Sequence, residues 1–215
     1  MAKKIIIPGK DDDLSVTLIT WPKGKTIDRI HWSQYGATEF NPGKGVGRFS
    51  PITDRSGRII PTLYGGKTLS VALMETVLHD LPTPCENAPV DLTVLNALAY
   101  SQCIPKAEIK LVDLNPRFMK KHGITQGELL GSGADHYPQT QQWAAQIHHS
   151  NPEAQGIQWS SRQHGDKALM LFGDRICAED FDITLDAQPA STSADVEREL
   201  SALANEMALI LLSGF

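Results

Sequence analysis

Residues that could do chemistry are concentrated between positions 48 and 75 of the sequence. Arg48 directly follows the glycine-rich loop 41–47. An arginine held between a loop and a strand can bind a phosphate or a carboxylate through two hydrogen bonds. Glu75 lies among apolar residues, where a carboxylate is expected to be paired or functional rather than solvated. Together with Tyr64, which ends a predicted strand, these residues indicate a site that joins an anion-binding arginine to a carboxylate.

The glycine-rich loop could contribute to such a site, because glycines let backbone amides approach a phosphate. Two common nucleotide-binding motifs are nevertheless excluded. The G-x-G-x-x-G motif starting at Gly43 would need a glycine where Arg48 stands, and a Walker A loop ending in residues 66–68 would need one at Pro61. A flexible turn remains the alternative interpretation of the loop, and a surface salt bridge that of Arg48.

Serine and histidine pairs occur later in the chain. Ser160 or Ser161 could orient a neighbouring side chain, but no G-x-S-x-G nucleophile elbow is present. His148 and His149 have no acidic or cysteine partner at metal-ligand spacing. We therefore interpret the histidine pair as the solvated end of a helix and predict no metal site.

The composition is that of an ordinary globular protein and excludes several classes. The chain has 215 residues, 41% of them hydrophobic and 21% charged, with a formal net charge of -5. This charge argues against a direct nucleic-acid binder, which would usually show a basic face. The longest apolar stretch is far too short to span a bilayer. Three widely spaced cysteines favour free thiols over a zinc site or a disulfide framework, so we expect a cytoplasmic protein.

Apolar spacing predicts the elements that must position the candidate residues. The predicted strands are 5–7, 16–21, 27–32, 59–64, 107–114, 157–159, 168–172 and 181–185. The predicted helices are 69–81, which Thr68 caps and Pro82 ends, a short one opened by Asn115, 139–148, and an amphipathic C-terminal helix at about 193–212. Residues 188–192 would form a linker before that last helix, whose apolar stripe is expected to pack on the core rather than on a partner.

The order of these motifs resembles that of the RES domain family, named for its Arg, Glu and Ser residues. The resemblance covers about residues 27–175. An insertion at about 54–59 lengthens the stretch between Arg48 and Tyr64, and the two adjacent serines leave the serine assignment open, although the spacing from Arg162 favours Ser161. The matching pieces are Arg29-Ile30-His31, Gly47-Arg48-Phe49, Leu63-Tyr64, Ala72-Leu73-Met74-Glu75, Trp159-Ser160-Ser161-Arg162 and Leu171-Phe172.

The resemblance implies both a fold and a function. The implied fold is α+β, with an ADP-ribosyltransferase-like core of two small packed sheets and flanking helices, in one domain over 1–215 with its core at about 27–185. The implied function is that of a toxin in a type II toxin–antitoxin system that degrades NAD⁺, by hydrolysis or phosphorolysis of the nicotinamide–ribose bond. NAD⁺ would be the substrate and no cofactor is expected. The implied partner is an Xre-type helix-turn-helix antitoxin.

Two other functions remain open at this point. The same chemistry could transfer ADP-ribose to a cellular protein, since one ribosyl cation can be captured by different nucleophiles. A binding or regulatory module without catalysis would also suit the acidic chain and its apolar C-terminal stripe. Inspection of the neighbouring reading frame and a test for NAD⁺ loss would separate these alternatives.

The resemblance also assigns roles to individual residues. Arg48 would hold the pyrophosphate, Tyr64 would stack on the nicotinamide or ribose, and Glu75 would stabilise the positive charge that develops on the ribose. Ser161 would orient Glu75 or the ribose. The nucleotide pocket would be lined by Arg29, His31, Gly47, Phe49, Ser160 and Arg162.

Overall fold

The computed structural model describes residues 6–9, 12, 14 and 16–212. Its helices are α1 (Leu69–Thr76), α2 (Pro116–Lys121), α3 (Gln126–Leu129), α4 (Tyr137–Ser150) and α5 (Ala194–Met207). Its strands are β1 (Leu18–Trp21), β2 (Ile27–Trp32), β3 (Ile52–Thr53), β4 (Ile59–Ile60), β5 (Thr62–Gly66), β6 (Pro89–Asp91), β7 (Leu98–Pro105), β8 (Ile109–Asp113), β9 (Gly156–Ser160), β10 (Lys167–Phe172), β11 (Phe181–Pro189) and β12 (Ile210–Leu212).

Eight of these strands form one sheet in the order β1-β8-β9-β10-β5-β2-β7-β11. The sheet divides between β5 and β2, whose register consists of the single pair Asp28 and Gly66. Five strands lie on one side of this junction and three on the other. A buried cluster that includes Trp21, Ile27 and Leu171 draws on strands of both sides, so the two halves pack face to face. The predicted α+β fold of two packed sheets with flanking helices is confirmed.

Two glycines of β5 make the junction compatible with close packing. A Cβ on Gly65 would collide with the side chain of Ile27 on β2. A Cβ on Gly66 would lie 2.9 Å from the backbone nitrogen of Ala72 in α1. The absence of side chains at these positions therefore lets β5, β2 and the start of α1 meet at one point.

Helices cover the outer faces of the two halves. One buried cluster joins α2 and α4 to the five-stranded half, with Trp143 and Met170 among its members. A second cluster joins α1 and α5 to the three-stranded half, with Leu73 and Leu200 at its centre. Because α1 contributes Val71 to the first cluster and Leu73 to the second, this helix spans the junction of the halves.

Several predicted elements differ from the observed ones. The predicted strand 59–64 is interrupted at Pro61, which lacks an amide proton, so β4 and β5 belong to different sheets. The predicted helix 69–81 ends at Thr76, where the amide of Leu78 bonds to the carbonyl of Leu73 instead of continuing the helical pattern. Ile6 and Ile7 are exposed and not in a strand, whereas Ile5 lies outside the described residues.

The C-terminal prediction is confirmed in its first part only. Ser193 caps α5, and Val196 and Leu200 are buried on the core as expected. The helix ends at Ala208, which has a left-handed backbone conformation with φ of 53°. Residues 210–212 then form β12 parallel to β6, so the helix predicted to reach 212 is wrong over its last turns. The predicted linker 188–192 is also wrong, because β11 extends to Pro189 and a 3₁₀ turn follows it.

Candidate active site

The loop that carries Arg48 is held in place by the first turns of α4. The hydroxyl of Thr140 donates a short hydrogen bond to the Arg48 carbonyl. The side-chain amide of Gln141 donates to the carbonyls of Gly47 at 2.9 Å and Ser50 at 2.8 Å. Gly47 itself donates its amide proton to Ser50 at 2.7 Å, which closes the turn. The position of Arg48 is therefore determined by a helix about ninety residues later in the sequence.

Tyr64 fastens the same loop from the side of β5. Its hydroxyl accepts a hydrogen bond from the Phe49 amide at 3.2 Å and donates one to Ser50 Oγ at 3.2 Å. Burial raises the pKa of Tyr64 above its ordinary value, so the phenol stays protonated. Phe49 is completely buried and packs edge-on against Trp159, with 5.1 Å between the ring centroids. Tyr64 and Phe49 thus connect the loop to β9.

Glu75 is oriented by a tryptophan. The indole Nε1–H of Trp159 donates to Glu75 Oε2 at 3.2 Å. Trp159 is 3% exposed and contacts both Phe49 and Tyr64 through its ring. Because the indole is locked by this aromatic packing, its N–H presents a fixed donor to the carboxylate. A chain of contacts therefore runs from the Arg48 loop through Trp159 to Glu75.

Two arginines converge on one short segment beside Glu75. Arg48 Nη1 donates to the Ser132 carbonyl at 2.9 Å, and Arg162 Nη1 donates to the Gly131 carbonyl at 2.8 Å. The Arg48 guanidinium also lies over the Tyr137 ring, 5.3 Å from its centroid. Burial lowers the pKa of Arg48, while Glu75 acts in the opposite direction and the positive charge of Arg162 adds to the lowering. Arg48 nevertheless remains cationic at neutral pH.

These residues line a narrow cleft with an enclosed volume of about 20 Å³. Arg48, Arg162 and Glu75 supply its charges, and the indole of Trp159 forms part of its wall. The arrangement can bind an anion at the guanidinium groups and stabilise a cation at the carboxylate. The full lining is Arg48, Met74, Glu75, His79, Leu130, Trp159, Arg162 and Gln163.

Comparison with known proteins establishes the family. The RES domain family model matches residues 26–191, more than three quarters of the chain. The chain belongs to the RES domain family. No curated protein sequence matches it significantly.

A solved structure supports the fold of this RES domain. The chain resembles one from the crystal structure of the M. tuberculosis MbcT–MbcA toxin–antitoxin complex, with a TM-score of 0.53 and 16% sequence identity. The similarity covers 89% of this chain and 91% of the compared chain. At this identity the comparison shows the fold.

In the described part of the chain, no helix has the length and apolar composition needed to cross a membrane.

Ser160 and Ser161 directly precede Arg162 in the sequence, but neither serine lines the cleft. Ser160 Oγ accepts a hydrogen bond from Lys167 Nζ at 2.9 Å. Ser161 is 2% exposed, and its hydroxyl accepts from the His164 amide at 3.3 Å in the turn that links β9 to β10. In this structure, Ser161 therefore shapes the turn that carries Arg162, and its predicted role toward Glu75 stays a prediction.

Arg29 and His31 lie on β2, away from the cleft lining. Arg29 is 4% exposed and donates to the carbonyls of Tyr64, Gly36, Ala37 and Glu39. Burial lowers its pKa to about 10. Its guanidinium thus ties the loop 36–39 to β5.

His31 Nε2 lies 2.9 Å from the hydroxyl of Ser101 on β7. Burial, with a further contribution from Arg29, lowers the pKa of His31 to about 4. The ring is therefore neutral at physiological pH, and its Nε2 is hydrogen-bonded to the neighbouring strand β7. The structure places Arg29 in the interior and His31 half-buried on the same strand, and their proposed contact with a nucleotide stays a prediction.

Trp159 is the residue whose role the sequence left unassigned. It was part of the family motif, but neither its spacing nor its type identified it as the partner of Glu75. His79 and Gln163 also line the cleft. Gln163 is linked to the segment after α1 through long bonds of 3.4 Å to the carbonyls of His79 and Leu81. Their contribution could be found only once the β9–β10 turn had been placed against α1.

Proposed function

We propose that this RES domain is the toxin of a toxin–antitoxin pair and cleaves the nicotinamide–ribose bond of NAD⁺. The observation that carries the proposal is the Glu75 carboxylate, held by the Trp159 indole in a cleft that also contains two guanidinium groups. NAD⁺ combines a cationic nicotinamide riboside with an anionic pyrophosphate. A carboxylate next to fixed cations is complementary to both parts of this substrate.

The bond can break without a general acid. Both electrons of the C1′–nitrogen bond stay with the nitrogen, so nicotinamide leaves as a neutral molecule. The ribose is left with positive charge shared between C1′ and its ring oxygen, as in glycoside cleavage. Glu75 would stabilise this charge, and a preorganised group of this kind is typically worth about 3–4 kcal/mol. Water or phosphate then adds to C1′, and water loses its extra proton to the solvent.

The remaining groups of the cleft would position the substrate. Arg48 and Arg162 would bind the pyrophosphate, with the carbonyls of residues 131 and 132 fixing the two guanidinium groups. The nicotinamide riboside would lie at Glu75, and the adenosine would extend out of the cleft. Tyr64 would hold the Arg48 loop through Phe49 and Ser50 rather than stack on nicotinamide.

The proposed partner is an antitoxin that covers the cleft in the resting cell. The fold similarity to a chain from a toxin–antitoxin complex supports a partner of this class. We propose the Xre-type helix-turn-helix protein that the family resemblance implies, and a cytoplasmic location, where NAD⁺ is available. Growth arrest on induction, with rescue by the product of the adjacent gene, is the expected result. Growth unaffected by high expression would contradict the toxin assignment.

Product analysis tests the reaction directly. Purified protein is incubated with NAD⁺, with and without inorganic phosphate or a cell extract, and the products are identified by mass spectrometry. Free ADP-ribose indicates hydrolysis, and a phosphorylated ADP-ribose indicates phosphorolysis. An adduct on an extract protein would replace the proposal by ADP-ribosyl transfer. Intact NAD⁺ under all conditions would support a module without catalysis.

Glu75→Gln tests the residue that carries the mechanism. We expect the rate of NAD⁺ loss to fall by about 10²–10³-fold, because the amide cannot stabilise the developing charge. The circular dichroism spectrum should be unchanged, since glutamine can still accept the Trp159 hydrogen bond. Glu86→Gln is the matched control, because Glu86 is exposed and outside the cleft lining. An unchanged rate in Glu75→Gln would show that the mechanism is wrong.

A further inference from the structure

The side chain of Gln163 lines the cleft but has no part in the cleavage step described above. It lies in the turn between β9 and β10, directly after Arg162, and it is half-buried. Glu75 and His79 line the same narrow cleft. Because the cleft is narrow, a group that leaves the ribose at Glu75 has Gln163 as a near neighbour.

The surroundings of Gln163 determine which way its amide points. Its Nε2 lies 3.4 Å from the carbonyl oxygen of His79 and 3.4 Å from that of Leu81. Both of these oxygens are acceptors, so the amide turns its NH₂ group towards them and its Oε1 the other way. In the described part of the chain, Oε1 has no hydrogen-bond partner, and it is not one of the buried unpartnered atoms. Gln163 therefore presents an accessible acceptor.

The bonds that hold the Gln163 amide are weak. At 3.4 Å they are longer than the usual range of about 2.7–3.2 Å for N–H···O bonds. The neighbouring Arg162 is held more firmly, since its Nη1 donates to the Gly131 carbonyl at 2.8 Å. The Gln163 side chain can therefore shift to admit a ring and still keep its oxygen directed at a ligand.

An acceptor at this place distinguishes two pyridine dinucleotides. NAD⁺ carries a carboxamide, whose NH₂ group donates hydrogen bonds, whereas its nicotinic acid counterpart carries a carboxylate, which only accepts. Glu75 and Gln163 Oε1 are themselves acceptors. Arg48 and Arg162 would attract a carboxylate, but in the proposed function these groups bind the pyrophosphate. The acceptor-lined part of the cleft is thus complementary to the carboxamide.

We propose that Gln163 determines the specificity for the leaving group, with its Oε1 accepting a hydrogen bond from the carboxamide NH₂ of nicotinamide. The proposal rests on the proposed cleavage of NAD⁺ at Glu75. A nicotinic acid group would place a carboxylate against Oε1, which leaves two acceptors without a donor between them. The chain therefore cleaves the amide form in preference to the acid form.

The kinetic test compares kcat/KM of the purified chain for NAD⁺ and for nicotinic acid adenine dinucleotide. The wild-type chain should prefer NAD⁺, and Gln163→Met should reduce this preference about tenfold, mainly through slower cleavage of NAD⁺. Gln163→Lys supplies a donor and should shift the preference towards the acid form. The different intrinsic reactivities of the two dinucleotides cancel, because only changes in the ratio between variants are compared.

Gln142→Met and Gln142→Lys are the matched controls, since Gln142 is exposed on α4 and outside the cleft lining. Both should keep the wild-type ratio. The same ratio in the wild type and in both Gln163 variants would overturn the proposal.

Binding of the free leaving group separates this inference from the proposed function, because it requires no turnover. Ligand-observed NMR titrations should show nicotinamide binding about tenfold more tightly to the wild type than to Gln163→Met, and nicotinic acid binding best to Gln163→Lys. If neither dinucleotide is cleaved but nicotinamide binds in this pattern, the proposed function fails and the role of Gln163 stands. Cleavage of NAD⁺ with equal nicotinamide affinity in the wild type and Gln163→Met, or a wild-type chain that does not bind nicotinamide, would refute that role.

Discussion

Arg29 and Arg48 are both connected to Tyr64, Arg29 directly and Arg48 through the adjacent Phe49, and the fold uses them in contrasting ways. Arg29 donates through all three guanidinium nitrogens to backbone carbonyls of residues 36–39 and Tyr64. Arg48 is half-buried and donates through Nη1 to Ser132, in a cleft that it shares with Glu75. Both arginines belong to the motifs that resemble the RES family, and both were predicted to contact the substrate.

The difference shows what makes an arginine available to a ligand. Donors that are saturated by carbonyls of the same chain cannot bind a phosphate without breaking those bonds. In the described structure, the hydrogen bonds of Arg48 leave Nη2 and Nε for another acceptor. The residue type is the same in both cases, but fewer internal acceptors surround the Arg48 guanidinium, which leaves it more donors for the proposed ligand.

The largest expected effect is on stability at Arg29. Arg29→Met should lower the free energy of unfolding by about 3–5 kcal/mol, because several buried carbonyls lose their donor. Arg48→Met should lower it by only about 1 kcal/mol, the contribution of one hydrogen bond, while NAD⁺ cleavage is lost. Urea denaturation of both variants measures the two values. Equal destabilisation would mean that the contrast between these arginines is wrong.

An intermediate effect is expected within the cleft at Trp159. Trp159→Phe keeps an aromatic ring against Phe49 but removes the N–H that orients Glu75. We expect kcat for NAD⁺ cleavage to fall about tenfold, or about 1.4 kcal/mol, with little change in KM. Trp32→Phe is the control, since Trp32 is 54% exposed. A rise in KM alone would instead indicate that Trp159 binds substrate and does not position the carboxylate.

The smallest effect is expected at His31, beside Arg29. Its pKa in the folded state is about 4, below the ordinary value of 6.5, chiefly because of burial. The unfolded chain therefore binds the proton more readily, and stability is lost as the pH falls from about 6.5 towards 4. Between pH 7 and about 5.5 this loss amounts to about 1 kcal/mol, which His31→Asn should remove. Denaturation of both proteins at several pH values measures the difference; parallel curves would show that His31 does not titrate in this way.

Elements that depend on residues adjacent in the sequence were predicted well. Thr68 and Asn115 cap their helices as expected, and β2 spans the predicted residues 27–32. By contrast, β7 was missed although it lies between β2 and β11 in the sheet. Its sequence mixes Tyr100, Ser101 and Gln102 with small residues, and its strand character arises from pairing with β2 and β11 rather than from local propensity.

The sequence by itself determined the family, the α+β class and the region of the cleft, because these follow from local patterns and from the order of short motifs. Only the tertiary structure showed that Trp159 donates to Glu75, that Arg29 donates to the carbonyls of residues 36–39 and Tyr64, and that His148, which was expected to be solvated, is buried. Burial and hydrogen-bond partners are set by segments far apart in the sequence, as Trp159 and Glu75 are, with a separation of 84 residues. Identical residue types therefore acquire different roles from the packing around them.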